Sequence, residues 1–437
     1  MLAVVLLLKK SSVINNSAMF HTLDNFDTEF SADSVEWCPI DPFKDTFVCG
    51  TYQLMKDGEL KSDESVSSKR LGRIYMFQVK TTGCLELLQQ LEVPAVLDMK
   101  WAHVTCQTKI FLGVVNSLGY LQIYELKNDE EKVLQLLIEE KVANENEVLA
   151  LSLDWCTGRF TNDNELVPKI VVSDSKGFIS LFQIIENKLN KINSWPAHEF
   201  EAWITAFDYW DTNVIYTGGD DCKFQRFDTR IGYYPSTSNR IHGTGVTSLH
   251  SNATKEYLLS SGSYDEILRL WDTRNLKRPI SEINLGGGVW RLKWDPFVQK
   301  YLLAACMYGG FRIVDCEKSE SPSIIGEYNE HKSIAYGCDW CFLNSKKIGE
   351  QIETKAENIY LIGNWLNSKD FYCACASASS RCRCTRGSSG ISWQMAMCRR
   401  ELQFVVTSSI KISRSEGLFW RGGSAVISVT SSCAVPR

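Results

Sequence analysis

Residues 213–274 write one pattern twice. The first copy, NVIYTGGDDCKFQRFDTR, ends at Arg230, and the second, EYLLSSGSYDEILRLWDTR, ends at Arg274, 44 residues on. Each copy holds a β-rich run, a tight turn closing on an aspartate (Asp221, Asp265), a second alternating run, and then FDTR or WDTR. Period-two alternation with turn residues at the reversal predicts strand, turn, strand and corner. A repeat of roughly 40–45 residues built this way is the length of one β-propeller blade.

Weaker copies fill much of the chain. A first blade runs from SVEWCP (34–39) through FVCGTYQL (47–54) to LGRIYMFQV (71–79), with a polar insertion at its middle turn. Further first strands are predicted at 95–102, 148–156, 198–210, 242–250, 286–296 and 331–340. Segment 127–147 is charged and reads as a connection with partly helical character. In a closed propeller one N-terminal strand often completes the last blade and removes the free edges. Segment 20–30 is expected to do so here. The seventh blade reaches IYLIGNWL (359–366) without a recognisable turn or closing WD strand. The prediction is an all-β, WD-repeat β-propeller of seven blades with the last incomplete. An extension covers 1–19, the propeller 20–366 and a Cys/Arg/Ser-rich tail 367–437.

Composition narrows the function class. Hydrophobic content of 44% with 23% charged residues is that of a globular domain. The net charge of −5 lacks the footprint of general nucleic-acid binding. No apolar run approaches the roughly 20 residues of a membrane-spanning helix. The opening MLAVVLLLKK has no basic region before its apolar run, so it reads as an extension and not as a signal peptide. Most scattered cysteines, such as Cys38, Cys49, Cys156, Cys306 and Cys338, sit inside strand-like runs, as expected of reduced core thiols in a cytoplasmic protein. The CxC pairs of the tail lack zinc-type spacing and a nearby histidine, so neither metal nor cofactor is expected.

The recurring polar residues have a structural reading. In WD repeats a histidine before the first strand, a Ser/Thr on the second, the turn aspartate and the Trp of WD satisfy one another inside the blade. His242, Ser261, Asp265 and Trp271 make a full set; His198, Thr217 and Asp221 make a set with Phe227 in the Trp place. His331 holds the corresponding first position in blade seven. Arg230 and Arg274 are expected to pair locally at the blade corners.

No GxSxG, HExxH, P-loop or GxGxxG occurs. Function is therefore sought where a propeller gathers its loops, on one face around the central channel. The residues expected there include Tyr52, Glu201, Trp203, Asp220, Ser263, Tyr264, Trp290, Arg291, Cys306 and Tyr336. Several aromatics with carboxylates and an arginine suit a small charged feature on a protein partner.

The strings ADSVEWCP (32–39), CGTYQL (49–54), LDMKW (97–101), SWPAHEFEAWI (194–204), WDTRN (271–275) and GGVWRLKWDPF (287–297) closely resemble one family, the WD-repeat diphthine methylesterases of diphthamide biosynthesis. The resemblance covers about residues 20–345. It implies a carboxylic ester hydrolase whose substrate is translation elongation factor 2 carrying methylated diphthine, a modified histidine with a trimethylammonium beside a methyl ester. A quaternary ammonium donates no hydrogen bond, so aromatic faces and a carboxylate suit it best. Tyr52, Trp203, Tyr264, Trp290 and Tyr336 are then the cage candidates, with Glu201 or Asp220 as counter-charge. For hydrolysis, His198 or His331 could be the base, or Glu201 or Asp220 instead. Ser263 and Cys306 are candidate nucleophiles, and Arg291 could face the oxyanion or the product carboxylate. Attack by a side chain and attack by water both remain open. The competing expectation is a non-catalytic scaffold, or a substrate receptor that meets the adaptor of a cullin-type ubiquitin ligase through Arg230 and Arg274.

Overall fold

A computed structural model describes residues 3–10, 18–20, 22–55, 70–80, 83–128, 131–145, 147–159, 167–331, 333–343, 371–378, 385–387, 390–392 and 402–403. Six four-stranded antiparallel sheets follow one another along the chain, over 31–94, 96–141, 150–196, 204–239, 246–284 and 291–328. A seventh has the order Ala18–Met19, Ala3–Lys10, Phe371–Ala378, Ile334–Trp340, so it joins both ends of the described chain. We number these sheets as blades one to seven. The repeat is thus a WD-type β-propeller, as the paired pattern predicts.

Seven inner strands form the wall of the channel: Ser31–Trp37, Val96–Trp101, Ala150–Trp155, Ile204–Phe207, Val246–Ser251, Arg291–Trp294 and Ile334–Trp340. Each packs against the next, and the last packs against the first. A repeated tryptophan ties neighbours together. The indole N–H of Trp101 donates to the Glu36 carbonyl (3.1 Å), Trp155 to Lys100 (2.8 Å), Trp294 to His250 (3.1 Å) and Trp340 to Lys293 (2.8 Å). The closing seam has its own bond, from Trp37 N–H to Asp339 Oδ2 at 2.8 Å. At that seam Gly337 is backed onto backbone. A Cβ there would meet Asp33 O and Val35 N at 2.9 Å.

Two expectations need correction. The strand that pairs in the seventh sheet is Ala3–Lys10, upstream of 20–30, whose Asn25–Phe26 pairs instead with Leu402–Gln403. Strand pairing thereby crosses both expected boundaries, at 19/20 and at 366/367. The described residues of 127–147 are not helical; Lys132–Lys141 is the outer strand of blade two, paired with Tyr120–Asn128. An available sheet edge decided there over local propensity, which is weak in a short segment. The expected strand 359–366 and most of the insertion 55–70 lie outside the described residues. Among the described residues ten cysteines are free, and no helix is long and apolar enough to cross a membrane.

Candidate active site

The inner strands share a register that decides what faces the channel. In blades one, two, three and five a β-bulge interrupts the strand at Asp33, Leu97, Leu151 and Thr247. Blade seven is irregular at Tyr336–Gly337. Counting back four residues from the tryptophans of the inner strands, and matching blades four and six to the others, puts Trp203 and Trp290 at the equivalent point. A bulge re-aims a side chain, and here it does so in one layer around the axis.

The aromatic members of that layer meet. Trp203 and Trp290 pack edge-on at 5.8 Å, and Trp290 and Tyr336 at 4.8 Å. Tyr264, from the middle turn of blade five, closes the group at 5.9 Å from Trp290 and 6.4 Å from Trp203. Tyr336 is fully buried, while Trp203, Tyr264 and Trp290 keep part of their faces open. Asp220 accepts the indole N–H of Trp203 at 3.0 Å, which holds a carboxylate at the edge of the rings. Glu201 is half-buried on the adjoining loop, its carbonyl accepting Asp220 N–H at 2.9 Å. Four of the five cage candidates are therefore brought together. Tyr52 shares a core cluster with Tyr336 but enters no ring pair with described residues; its hydroxyl accepts from Arg70 Nε at 2.8 Å.

Beneath the rings the channel is crossed by a salt bridge. Arg291 of blade six reaches Asp98 of blade two, Nη2 to Oδ1 at 3.0 Å, with both side chains buried. In a seven-bladed ring, blades six and two are as far apart as two blades can be, so the pair spans the channel. Asp98 also accepts Leu153 N–H at 3.2 Å, which fixes the carboxylate in place. Lower still, the inner strands present Glu36, Lys100, Asp154, His250, Lys293 and Asp339. Lys293 pairs with Glu36 and lies 3.6 Å from Asp339, and Lys100 lies 3.4 Å from Asp154. Buried charges of opposite sign satisfy one another here, as they must at low dielectric.

Other expected residues take structural places. His198 is buried, with Nδ1 on Asp221 Oδ1 at 2.9 Å and Nε2 on Thr217 Oγ1 at 2.8 Å. Burial alone would raise the Asp221 carboxyl, but the His198 hydrogen bond and charge bring it down to about 2. His242 repeats the set in blade five with Asp265 at 3.2 Å and Ser261 at 2.7 Å, and Trp271 donates to that serine at 2.7 Å. His331 packs on Phe311 and Tyr328, and burial lowers it to about 3, too weak a base for neutral pH. Ser263 is buried in its turn, donating to Thr244 O and accepting Asp265 N–H. Cys306 is buried between sheets, and desolvation pushes its thiol up to about 12, so it carries almost no thiolate at neutral pH. His198 and Ser263 are thus engaged within their own blades, Cys306 is buried as a thiol, and His331 is too weakly basic to serve at neutral pH. Arg230 is tied to Asp228 and Asp211, both at 2.7 Å; Arg274 is tied to Asp272 at 2.6 Å and stacks over Tyr257. Both arginines make the local pairs their sequence setting predicts.

No family model matches the sequence. A mouse protein named diphthine methyltransferase is 39% identical over 339 residues, 75% of this chain and 71% of its own length. The human protein of the same name is also 39% identical, over 74% of this chain and 75% of its own. A Dictyostelium discoideum homologue is 36% identical over 72% of this chain and 90% of its own length. The chain belongs to the diphthine methyltransferase family. Among solved structures, a chain of the mitotic checkpoint complex superposes with a TM-score of 0.51 at 15% identity, over 70% of this chain and 82% of that one. At that identity the likeness is one of fold alone.

Sequence reasoning missed Asp33, in the layer of the cage, and the charged residues below it. Asp33, Glu36, Asp98, Lys100, Lys293 and Asp339 all come from inner strands whose charged side chains face the axis. A signal was present. EW, KW, DW, KW and DW close five of the seven inner strands, and a charged residue before each tryptophan is odd for a buried strand. The same count back from Trp37 lands on Asp33.

Proposed function

We propose that this chain is a carboxylic ester hydrolase that removes the methyl ester from methylated diphthine on translation elongation factor 2, a step of diphthamide biosynthesis. The observation that carries the reading is the convergence of Trp203, Tyr264, Trp290 and Tyr336, with Asp220 hydrogen-bonded at their edge. A trimethylammonium offers charge without a donor. Aromatic faces then contribute roughly 0.5–2 kcal/mol each, and the carboxylate supplies the opposite charge. Cage and family membership support the same substrate from independent directions. The relatives' name speaks of methyl transfer, whereas the resemblance of the sequence strings implies ester cleavage. Arg291 below the rings supports cleavage, because a buried guanidinium suits the oxyanion of an acyl intermediate.

The test is to incubate the purified chain with elongation factor 2 carrying the methylated diphthine ester, following intact mass and released methanol. Loss of one methyl with equimolar methanol is expected. An unchanged mass sinks the reading, and a mass gain that requires an added methyl donor replaces it with transfer.

A further inference from the structure

Hydrolysis needs a group to take a proton from water. Of the groups first considered, Asp220 lies at the edge of the rings, already accepting the Trp203 indole N–H, with Glu201 on the adjoining loop. His198 is enclosed by Thr217 and Asp221, His331 is lowered to about 3, and Ser263 and Cys306 are buried, the thiol pushed up to about 12. The channel carboxylates are mostly engaged. Asp98 holds Arg291, Asp154 faces Lys100, and Glu36 and Asp339 share Lys293. Asp33 differs. Among the described residues it has no ion pair, although it sits on the inner strand of blade one, beside blade seven.

Its position is the point. Asp33 is the bulge residue of its strand, and Trp203, Trp290 and Tyr336 hold the equivalent places in blades four, six and seven. Its carboxyl is buried and close enough to feel both Arg291 from blade six and Asp98 from blade two. Sharing the register of Trp203, Trp290 and Tyr336 puts Asp33 in their layer around the axis. A carboxylate, a guanidinium and most of an aromatic cage are thereby carried by the inner strands around one channel.

We propose that Asp33 is the general base of the reaction, acting on a water molecule, with Arg291 facing the oxyanion that forms. The inference rests on the ester-hydrolase reading. Water gives a proton to the Asp33 carboxylate as its oxygen bonds to the ester carbonyl carbon. The carbonyl π pair moves onto oxygen beside Arg291. When the intermediate collapses, the bond from carbon to the methoxy oxygen breaks, and the leaving methoxide takes the proton back from Asp33. Methanol and a carboxylic acid result, the acid loses its proton to solvent, and Asp33 is again ionised. Burial supports this role by lifting its carboxyl to about 7; Arg291 pulls it down and Asp98 pushes it further up. A base near the working pH is both available and strong enough to act.

The experiment compares the full chain with D33N and D33A under single turnover on the esterified elongation factor, across pH. Binding is measured separately with the demethylated, trimethylammonium-bearing product. In the unsubstituted chain the rate should rise with pH and level off above about 7. D33N should lose on the order of 10²–10⁴-fold in rate, keep product affinity within a few-fold, and lose the inflection. Added formate should restore part of the D33A rate. Survival of more than a tenth of the rate in D33N overturns the assignment, as does a parallel loss of rate and affinity. A flat profile in the unsubstituted chain overturns it even if both variants fail to fold. Inactivity of the unsubstituted chain is a different failure, since it removes the hydrolase reading itself.

Discussion

Arg291 and Asp98 meet across the widest span of the propeller channel, Nη2 to Oδ1 at 3.0 Å, and close it beneath the aromatic cage. The pair joins blades six and two, which are not neighbours in the ring, so it acts as a tie across it. Removing one partner strands the other as a buried, uncompensated charge. R291M should therefore lower unfolding free energy by about 3–5 kcal/mol, measured by urea denaturation. R291M/D98N should recover part of that loss in a double-mutant cycle. Additive losses for R291M and D98N in that cycle would show that the two groups are not coupled.

The cage predicts a preference for charge over shape. Replacing the trimethylammonium of a ligand by its neutral tert-butyl isostere should weaken binding, and W290A should remove most of that difference because Trp290 touches three other rings. Loss of a single cation–π face corresponds to roughly 2- to 30-fold in affinity. Calorimetric titration of both ligands measures it. Equal affinity for charged and neutral ligands would rule out a cation cage.

His198 should matter for stability and not for chemistry. H198A leaves Thr217 and Asp221 without the imidazole that satisfies both. The expected cost is about 1–3 kcal/mol in a thermal or urea melt, with the turnover rate unchanged below the melting range. A turnover rate lowered by two orders of magnitude or more, at a temperature where the variant is folded, would return His198 to the chemistry.

Asp33 carries a stability signature independent of activity. Its folded-state carboxyl lies near 7, above its ordinary value of 3.8. The folded state therefore keeps a proton that the unfolded chain has lost. That contribution is full below about 3.8 and is lost as pH rises through about 7. D33N does not titrate, so its stability relative to the unsubstituted chain should climb between about pH 4 and 7 and then level. Denaturation of both proteins at several pH values tests this, and a pH-independent difference refutes the raised carboxyl.

The ring seam has a steric prediction. G337A places a methyl group 2.9 Å from Asp33 O and Val35 N, both backbone atoms that cannot swing aside. Blade seven should shift off blade one at a cost of about 1–3 kcal/mol, and hydrogen exchange should quicken at Trp37 N–H, whose bond to Asp339 crosses the seam. Unchanged protection at Trp37 would mean that the seam tolerates the methyl.

Much of the fold was legible in residues 213–274, because alternation and turn chemistry are local properties and a repeat extends them to the rest of the chain. Trp203, Tyr264, Trp290 and Tyr336 were legible as a group for the same reason: they occupy loop and turn positions that a propeller gathers on one face. Three things came only with the tertiary structure. Lys132–Lys141 became a strand because blade two offered it an edge. His198 and Cys306 left the list of reactive groups because burial and partners, invisible in a string, set their chemistry. Asp33 and the Arg291–Asp98 pair emerged because a bulge and a ring closure bring together residues up to 258 positions apart. Sequence determines which groups are available. Distance and desolvation, which depend on the whole ring, decide which of them can act.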